Sequence, residues 1–296
     1  MIRGSIFMVL VVLFYAGNII TGKALNDLPP FTIAWIRLSL AALLLIPLGA
    51  GRAWRERRLF LTYKWPFFWM TLSGVTFFNT FIYGSLQYTS AANVSVLETV
   101  IPAVTITAAA LILKETLKPR QWAGVVVSLA GALYVITEGS VERLLAMDWN
   151  PGDLIMIGAI VCWSVYSLLV RRYMYLFPAF AALFIMNVLS VIVLFPFAAG
   201  EWLIGGVPDA DWGASWGGLL YLGIFPSVVA LLLFNRAVGI LGAGRASVFL
   251  NLLPPATIAG AWLLLGETIV LPQIIGAFIV ISGVIMTTWK KKETAN

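Results

Sequence analysis

No charged residue interrupts residues 65–97, 173–200 or 246–266, and shorter uncharged stretches fill most of the remaining chain. Segments of that kind have no polar face to turn toward water, so they fold as helices inside lipid or deep within a helical assembly. Of the 296 residues, 61% are hydrophobic and 11% charged, against about 25% charged in a soluble domain. Mean hydropathy is +0.96. The apolar runs are continuous rather than alternating, which selects α-helices over a β-barrel. The chain therefore reads as an all-α polytopic membrane protein whose main partner is the lipid bilayer.

A helical span needs about 20 apolar residues. Breaking the chain at charges and at Pro/Gly clusters predicts ten transmembrane helices, at 5–25, 31–50, 65–87, 92–113, 119–137, 152–171, 178–199, 213–236, 244–265 and 271–289. Of the 19 Lys and Arg residues, all but Lys23, Arg37 and Arg143 fall in loops on one side. Most acidic residues fall on the other. The positive-inside rule then puts both termini in the cytoplasm, with the protein in the plasma membrane, the inner membrane of a bacterium. Met1-Ile2-Arg3 and the apolar stretch after it resemble a signal peptide, but no small-residue cleavage site follows, so the segment is expected to stay as the first span.

Composition also excludes several activities. With no histidine, histidine general acid–base chemistry, His-ligated metals and Ser-His-Asp triads are absent. The single cysteine, Cys162, lies within an apolar run, so neither a disulfide framework nor a cysteine metal cluster can form. The net charge of +6 sits in short loops between spans, which argues for membrane topology and against nucleic acid binding. Gly242-Ala243-Gly244 lacks the spacing and lysine of a nucleotide-binding loop. The expectation is a non-enzyme without cofactor or metal.

At an offset of 152, residues 92–137 align with 244–289 without a gap. The matches include Ser95/Ser247, Pro102/Pro254, Thr105/Thr257, Glu115/Glu267, Thr116/Thr268, Gln121/Gln273, Gly124/Gly276 and Gly131/Gly283. Shared apolar character does not explain Pro, Glu-Thr, Gln and two Gly in register. The chain divides into 1–150 and 151–296, two five-helix repeats. Five is odd, so the second repeat is inverted relative to the first, the architecture that secondary transporters use for alternating access.

Tyr88-Thr89-Ser90-Ala91-Ala92, Pro102, Lys114-Glu115-Thr116, Gln121 and Gly124 resemble the EamA group of the drug/metabolite transporter superfamily. So do Gly242 to Ser247, Pro254, Gly266-Glu267-Thr268, Gln273 and Gly276 in the second copy. Tyr15-Ala16-Gly17-Asn18 resembles the family's first-helix motif, with Tyr-Ala standing where Trp-Gly is more usual. Trp163-Ser164, Tyr166 and Arg171-Arg172 resemble its sixth-helix pattern, and Arg37 a frequent second-helix arginine. The resemblance spans essentially the whole chain. It implies a ten-helix carrier of small metabolites, often an exporter, with amino acid exporters and an aromatic amino acid branch among bacterial relatives.

The residues themselves offer a candidate pocket. Glu98 lies about 9 Å below the outer surface at 1.5 Å per residue. It could bind a substrate ammonium group, carry a proton, or form a structural pair with Arg37 at similar depth. Arg37 itself reads as structural, snorkelling to the interface. Asn79, Tyr83 and Gln87 share one helix face; Tyr15 and Asn18, Trp163 and Tyr166, and Ser247 and Asn251 recur on others. Convergence of those faces would make an aromatic pocket with a few amides and hydroxyls, suited to amino acids. Pro102 and Pro254, mid-span in both repeats, read as hinges or as static kinks. Glu115 and Glu267 read as turn builders, and Trp202, Trp212 and Trp216 as interface anchors.

Together these features predict a secondary transporter of a small-molecule substrate, an amino acid exporter with aromatic amino acids as one option. The alternatives are other substrates of the superfamily, such as nucleotide sugars or cationic compounds. A channel is disfavoured because no ring of charges or filter motif is visible. Exact substrate, coupling and oligomeric state stay open at this level, a monomer included.

Overall fold

The computed structural model describes residues 2–112, 118–142, 149–206, 208, 211–241 and 249–288. Those residues form helices and turns without a strand. In chain order the helices are α1 (Ile2–Ala24), α2 (Pro30–Leu45), the short α3 (Gly51–Arg55) and α4 (Arg57–Thr62), α5 (Lys64–Met70), α6 (Phe78–Leu86), α7 (Ala91–Glu98) and α8 (Ile101–Ile112). They continue as α9 (Pro119–Ile136), α10 (Pro151–Tyr173), α11 (Ala179–Gly205), α12 (Trp212–Ile224), α13 (Ala230–Leu241), α14 (Leu253–Leu265) and α15 (Leu271–Thr288). Among the described residues six helical stretches are long and apolar enough to cross a membrane, Ile2–Ala24, Pro30–Arg55, Ala91–Ile112, Pro151–Val170, Ala179–Gly205 and Trp212–Phe234; Leu253–Leu265 and Leu271–Met286 are shorter apolar helices. These are the features of a polytopic membrane protein.

Local chemistry explains the ends. Proline opens α2, α9 and α10, where its missing N–H costs no helical bond. Ser90 Oγ accepts from Asn93 N at the start of α7, and Asn150 Oδ1 from Gly152 N at α10. The carboxylate of Glu201, on α11, accepts from the backbone N–H groups of Phe31 and Thr32 at the start of α2. Glu267 Oε1 accepts from Ala91 N, so this residue holds the start of α7 rather than only its own turn. Lys118 N and Val270 N each donate to a glutamine three residues on, Gln121 and Gln273.

Within spans read from the sequence as continuous, the backbone breaks. A π-helical segment at Thr71–Phe77 joins α5 to α6, and another at Phe225–Val229 joins α12 to α13. Both are repaired by a hydroxyl reaching back five residues: Thr76 Oγ1 donates to Thr71 O, and Ser227 Oγ to Leu222 O. The chain also tightens at Thr99–Val100 and at Asn251–Leu252, where Thr99, Val100 and Leu252 bond to the carbonyl three residues back. Pro102 and Pro254 follow within three residues. Neither can donate to the carbonyl four residues back, so a helical bond is lost and the α-helix is weakened there.

Helix α9 lies along α15, α2 along α11, α1 against α13 and α14, and α10 against α6 and α8. The α9–α15 contact is close because both helices present glycine. A Cβ at Gly131 would sit 2.8 Å from Val280 N, and one at Gly283 2.5 Å from Ser128 N. Without a hydrophobic gain between helices in lipid, such backbone proximity supplies the packing energy.

Candidate functional site

Where the breaks meet, the helices leave a cavity of about 190 Å³. Helix α1 contributes Tyr15 and Asn18, α2 Arg37, and α6 with its π segment Gly74, Phe78 and Asn79. Glu98, Thr99 and Pro102 come from the α7–α8 break, Trp163 and Tyr166 from α10, and Asn187 from α11. Pro226 and Ser227 come from the Phe225–Val229 segment, Leu250 and Asn251 from the turn before α14, and Leu253 from its first residue. Broken helices thus supply four parts of the wall. At each, the regular α-helical pattern is interrupted and residues of the break line the cavity, and irregular backbone is tolerated in a membrane only around a cavity or within buried protein.

One wall is aromatic. The rings of Phe78 and Trp163 lie 4.4 Å apart and those of Trp163 and Tyr166 5.0 Å apart. The Tyr166 ring also presses on Gly74, where a Cβ would come within 2.2 Å of it. Glycine is required there because any side chain would displace the ring.

The other wall is charged. Arg37 is 5% exposed. Its Nε donates to Ser227 Oγ (2.7 Å), and its Nη1 to Asn79 Oδ1 (2.6 Å) and to Tyr83 Oη. Tyr83 Oη in turn donates to Asn18 Oδ1 at 2.9 Å. Glu98 lines the same cavity and, among the described residues, neither makes a hydrogen bond nor pairs with Arg37. Of the options open to Glu98, the structural pair with Arg37 is therefore not formed. The cation is held by three neutral groups on two elements, α6 and the Phe225–Val229 segment, and the anion stands apart.

Of the residues expected to bind substrate, Tyr15, Asn18, Asn79, Glu98, Trp163, Tyr166 and Asn251 reach the cavity. Tyr83 does not. Its side chain is wholly buried behind the wall, where it braces Arg37. Ser247 lies outside the described residues. Gln87 donates to Leu28 O, away from the site. Of the two prolines, Pro102 lines the cavity and Pro254 is buried beside it. Sequence reading passed over Asn187, Ser227 and the inward role of Arg37. Each is a polar residue alone in an apolar run, a signal that was available.

Comparison with known proteins decides the family. The model of the EamA-like transporter family matches residues 2–137 and 150–289. The chain belongs to the EamA-like transporter family. An uncharacterized transporter of Bacillus subtilis, YyaM, is 31% identical over 215 residues, 72% of this chain and 69% of that one. A probable terminal-alkyne amino-acid exporter of Streptantibioticus cattleyicolor is 26% identical over 270 residues, 90% of this chain and 84% of its own. One solved structure superposes with a TM-score of 0.63 at 18% identity, covering 97% of this chain and 96% of the other, a likeness of fold. This EamA-family member is thus a membrane transporter, and the cavity is its candidate substrate site.

Proposed function

We propose that the protein is a secondary carrier that exports amino acids across a bacterial inner membrane, working by alternating access between two inverted five-helix repeats, residues 1–150 and 151–296, with ten crossings in all. The observation that carries the substrate reading is the cavity itself: Glu98, without a partner among the described residues, beside an aromatic wall of Phe78, Trp163 and Tyr166. A carboxylate in that position suits a ligand ammonium group, and the rings suit an apolar side chain, aromatic amino acids included. The volume is below the roughly 300–1,000 Å³ of pockets for drug-sized ligands, which favours a small metabolite over a nucleotide sugar. Arg37 is the one Lys or Arg among the described lining residues, too few for a diphosphate.

The repeat reading is supported by contacts that exchange under the 152-residue offset. Gly131 packs on Val280 and Gly283 on Ser128, and each pair maps onto the other. The breaks at Thr99–Val100 and Asn251–Leu252 are likewise 152 residues apart, and the π segments at Thr71–Phe77 and Phe225–Val229 overlap under the same shift, while a third at Ile46–Ala50 has no such counterpart. Both termini face the cytoplasm in this reading, and outward transport follows the exporter among the relatives.

The test is uptake of a labelled amino acid panel into proteoliposomes, with and without a pH gradient. Saturable uptake of neutral or aromatic amino acids is expected, and acceleration by the gradient would make Glu98 the first residue to examine for coupling. Uptake of nucleotide sugars or cationic compounds with no amino acid transport would overturn the substrate assignment.

A further inference from the structure

A guanidinium has five N–H donors in a rigid plane and stays charged at any physiological pH. In Arg37, Nε is taken by Ser227 and the two N–H groups of Nη1 by Asn79 and Tyr83. The remaining nitrogen, Nη2, has no partner among the described residues, and the side chain lines the cavity. All three acceptors are neutral. A buried cation without a counter-ion is strongly unfavourable, and holding it rigidly from α6 and from the π segment of α12–α13 adds an ordering cost. Snorkelling to the interface does not require that bracing. A built, oriented cation with donors left over is the arrangement of an anion-binding group.

We propose that Arg37 anchors the carboxylate of the transported ligand, so that the cavity reads both ends of a zwitterion, carboxylate at Arg37 and ammonium at Glu98. The Glu98 end rests on the amino-acid reading above; the Arg37 end requires only an anionic group. A monoanionic carboxylate fits better than a phosphate dianion. One guanidinium balances one negative charge, and a second would add to that of Glu98. Bound this way, the ligand satisfies both embedded charges and leaves none exposed when the site is closed to water.

Thermal unfolding of the purified full-length protein, with added ligands, tests the assignment, because a ligand of the folded state raises the midpoint by an amount that grows with the logarithm of its concentration over Kd. The probes are L-phenylalanine, L-leucine and L-threonine, with 3-phenylpropionate, which lacks the ammonium group, and 2-phenylethylamine, which lacks the carboxylate. At least one amino acid is expected to stabilise, and 2-phenylethylamine not to. In Arg37→Gln the apparent affinity for the stabilising amino acid is expected to fall about tenfold to a hundredfold, the loss of charge-assisted hydrogen bonds. Arg37→Lys, which keeps charge but not the planar fork, is expected between the two. Stabilisation by 2-phenylethylamine equal to that by L-phenylalanine overturns the assignment, as does unchanged affinity in Arg37→Gln or no response to any carboxylate. Stabilisation by 3-phenylpropionate alone keeps Arg37 as the anchor and removes the amino-acid reading. Should Arg37→Gln not fold, the ligand comparison on the unaltered protein still decides.

Discussion

The residues around the cavity divide into those that meet the ligand and those that hold them still. Tyr83 belongs to the second group: its hydroxyl accepts from Arg37 and donates to Asn18. Tyr83→Phe leaves Asn18 Oδ1 and one Arg37 N–H without that partner. It is expected to lower stability by about 1–3 kcal/mol, read as a lower thermal midpoint, and to weaken substrate binding. Glu98 belongs to the first group. Glu98→Gln keeps the shape and removes the charge, so KM for the transported amino acid should rise about tenfold to a hundredfold while the protein still folds. Wild-type transport kinetics in this variant would take Glu98 out of the mechanism. Gly74→Ala places a methyl group within 2.2 Å of the Tyr166 ring; a loss of transport larger than the loss of stability is expected, since the ring must swing into the cavity.

At the scale of elements, the breaks matter more than the helices. Pro102 and Pro254 withhold the amide that would bond the carbonyl of Glu98 or Leu250, and the chain tightens just ahead of each. Pro102→Ala and Pro254→Ala restore that donor. If the breaks act as hinges, turnover falls severalfold with KM little changed, and the double variant falls further than either single one. If they only shape the wall, KM changes instead. Steady-state transport kinetics separate the two. The α9–α15 pair is an opposite case, a contact with no room to move. Gly131→Leu is expected to destabilise by about 1–3 kcal/mol through overpacking against Val280, again visible in the thermal midpoint.

For the molecule as a whole, orientation is the most direct prediction. In a Cys162→Ser background, Arg57→Cys should react with an impermeant thiol reagent only from the cytoplasmic side, and Val141→Cys only from the outside. The reverse pattern would invert the topology and put Glu98 near the cytoplasmic face. Helical class and membrane residence were legible in the chain because they depend on local composition: uncharged runs of span length leave the backbone no alternative to helix in lipid. An internal match was visible for a similar reason, as Pro, Gly and Glu-Thr recur at a constant offset; the two inverted repeats built on it belong to the proposal above. Much of the cavity was legible as well, since polar residues in apolar runs stand out.

What the chain alone left open was which way those polar residues face and what they touch. Arg37 and Glu98 lie at similar depth and carry opposite charges, so pairing stood among the options; the packing of α6 and of the Phe225–Val229 segment around Arg37 gave it neutral partners instead. Tyr83 shares a helix face with Asn79 yet sits one turn further along, where α1 covers it. The π segments could not be read either, because a hydroxyl reaching back five residues looks in sequence like any Ser or Thr in a helix. Composition along the chain determined the solvent this protein folds in and the helices it folds into. Tertiary packing decided which side chains face one another across the cavity, because facing depends on helix rotation and on neighbours more than 40 residues away in the chain, such as Asn79 and Ser227 around Arg37.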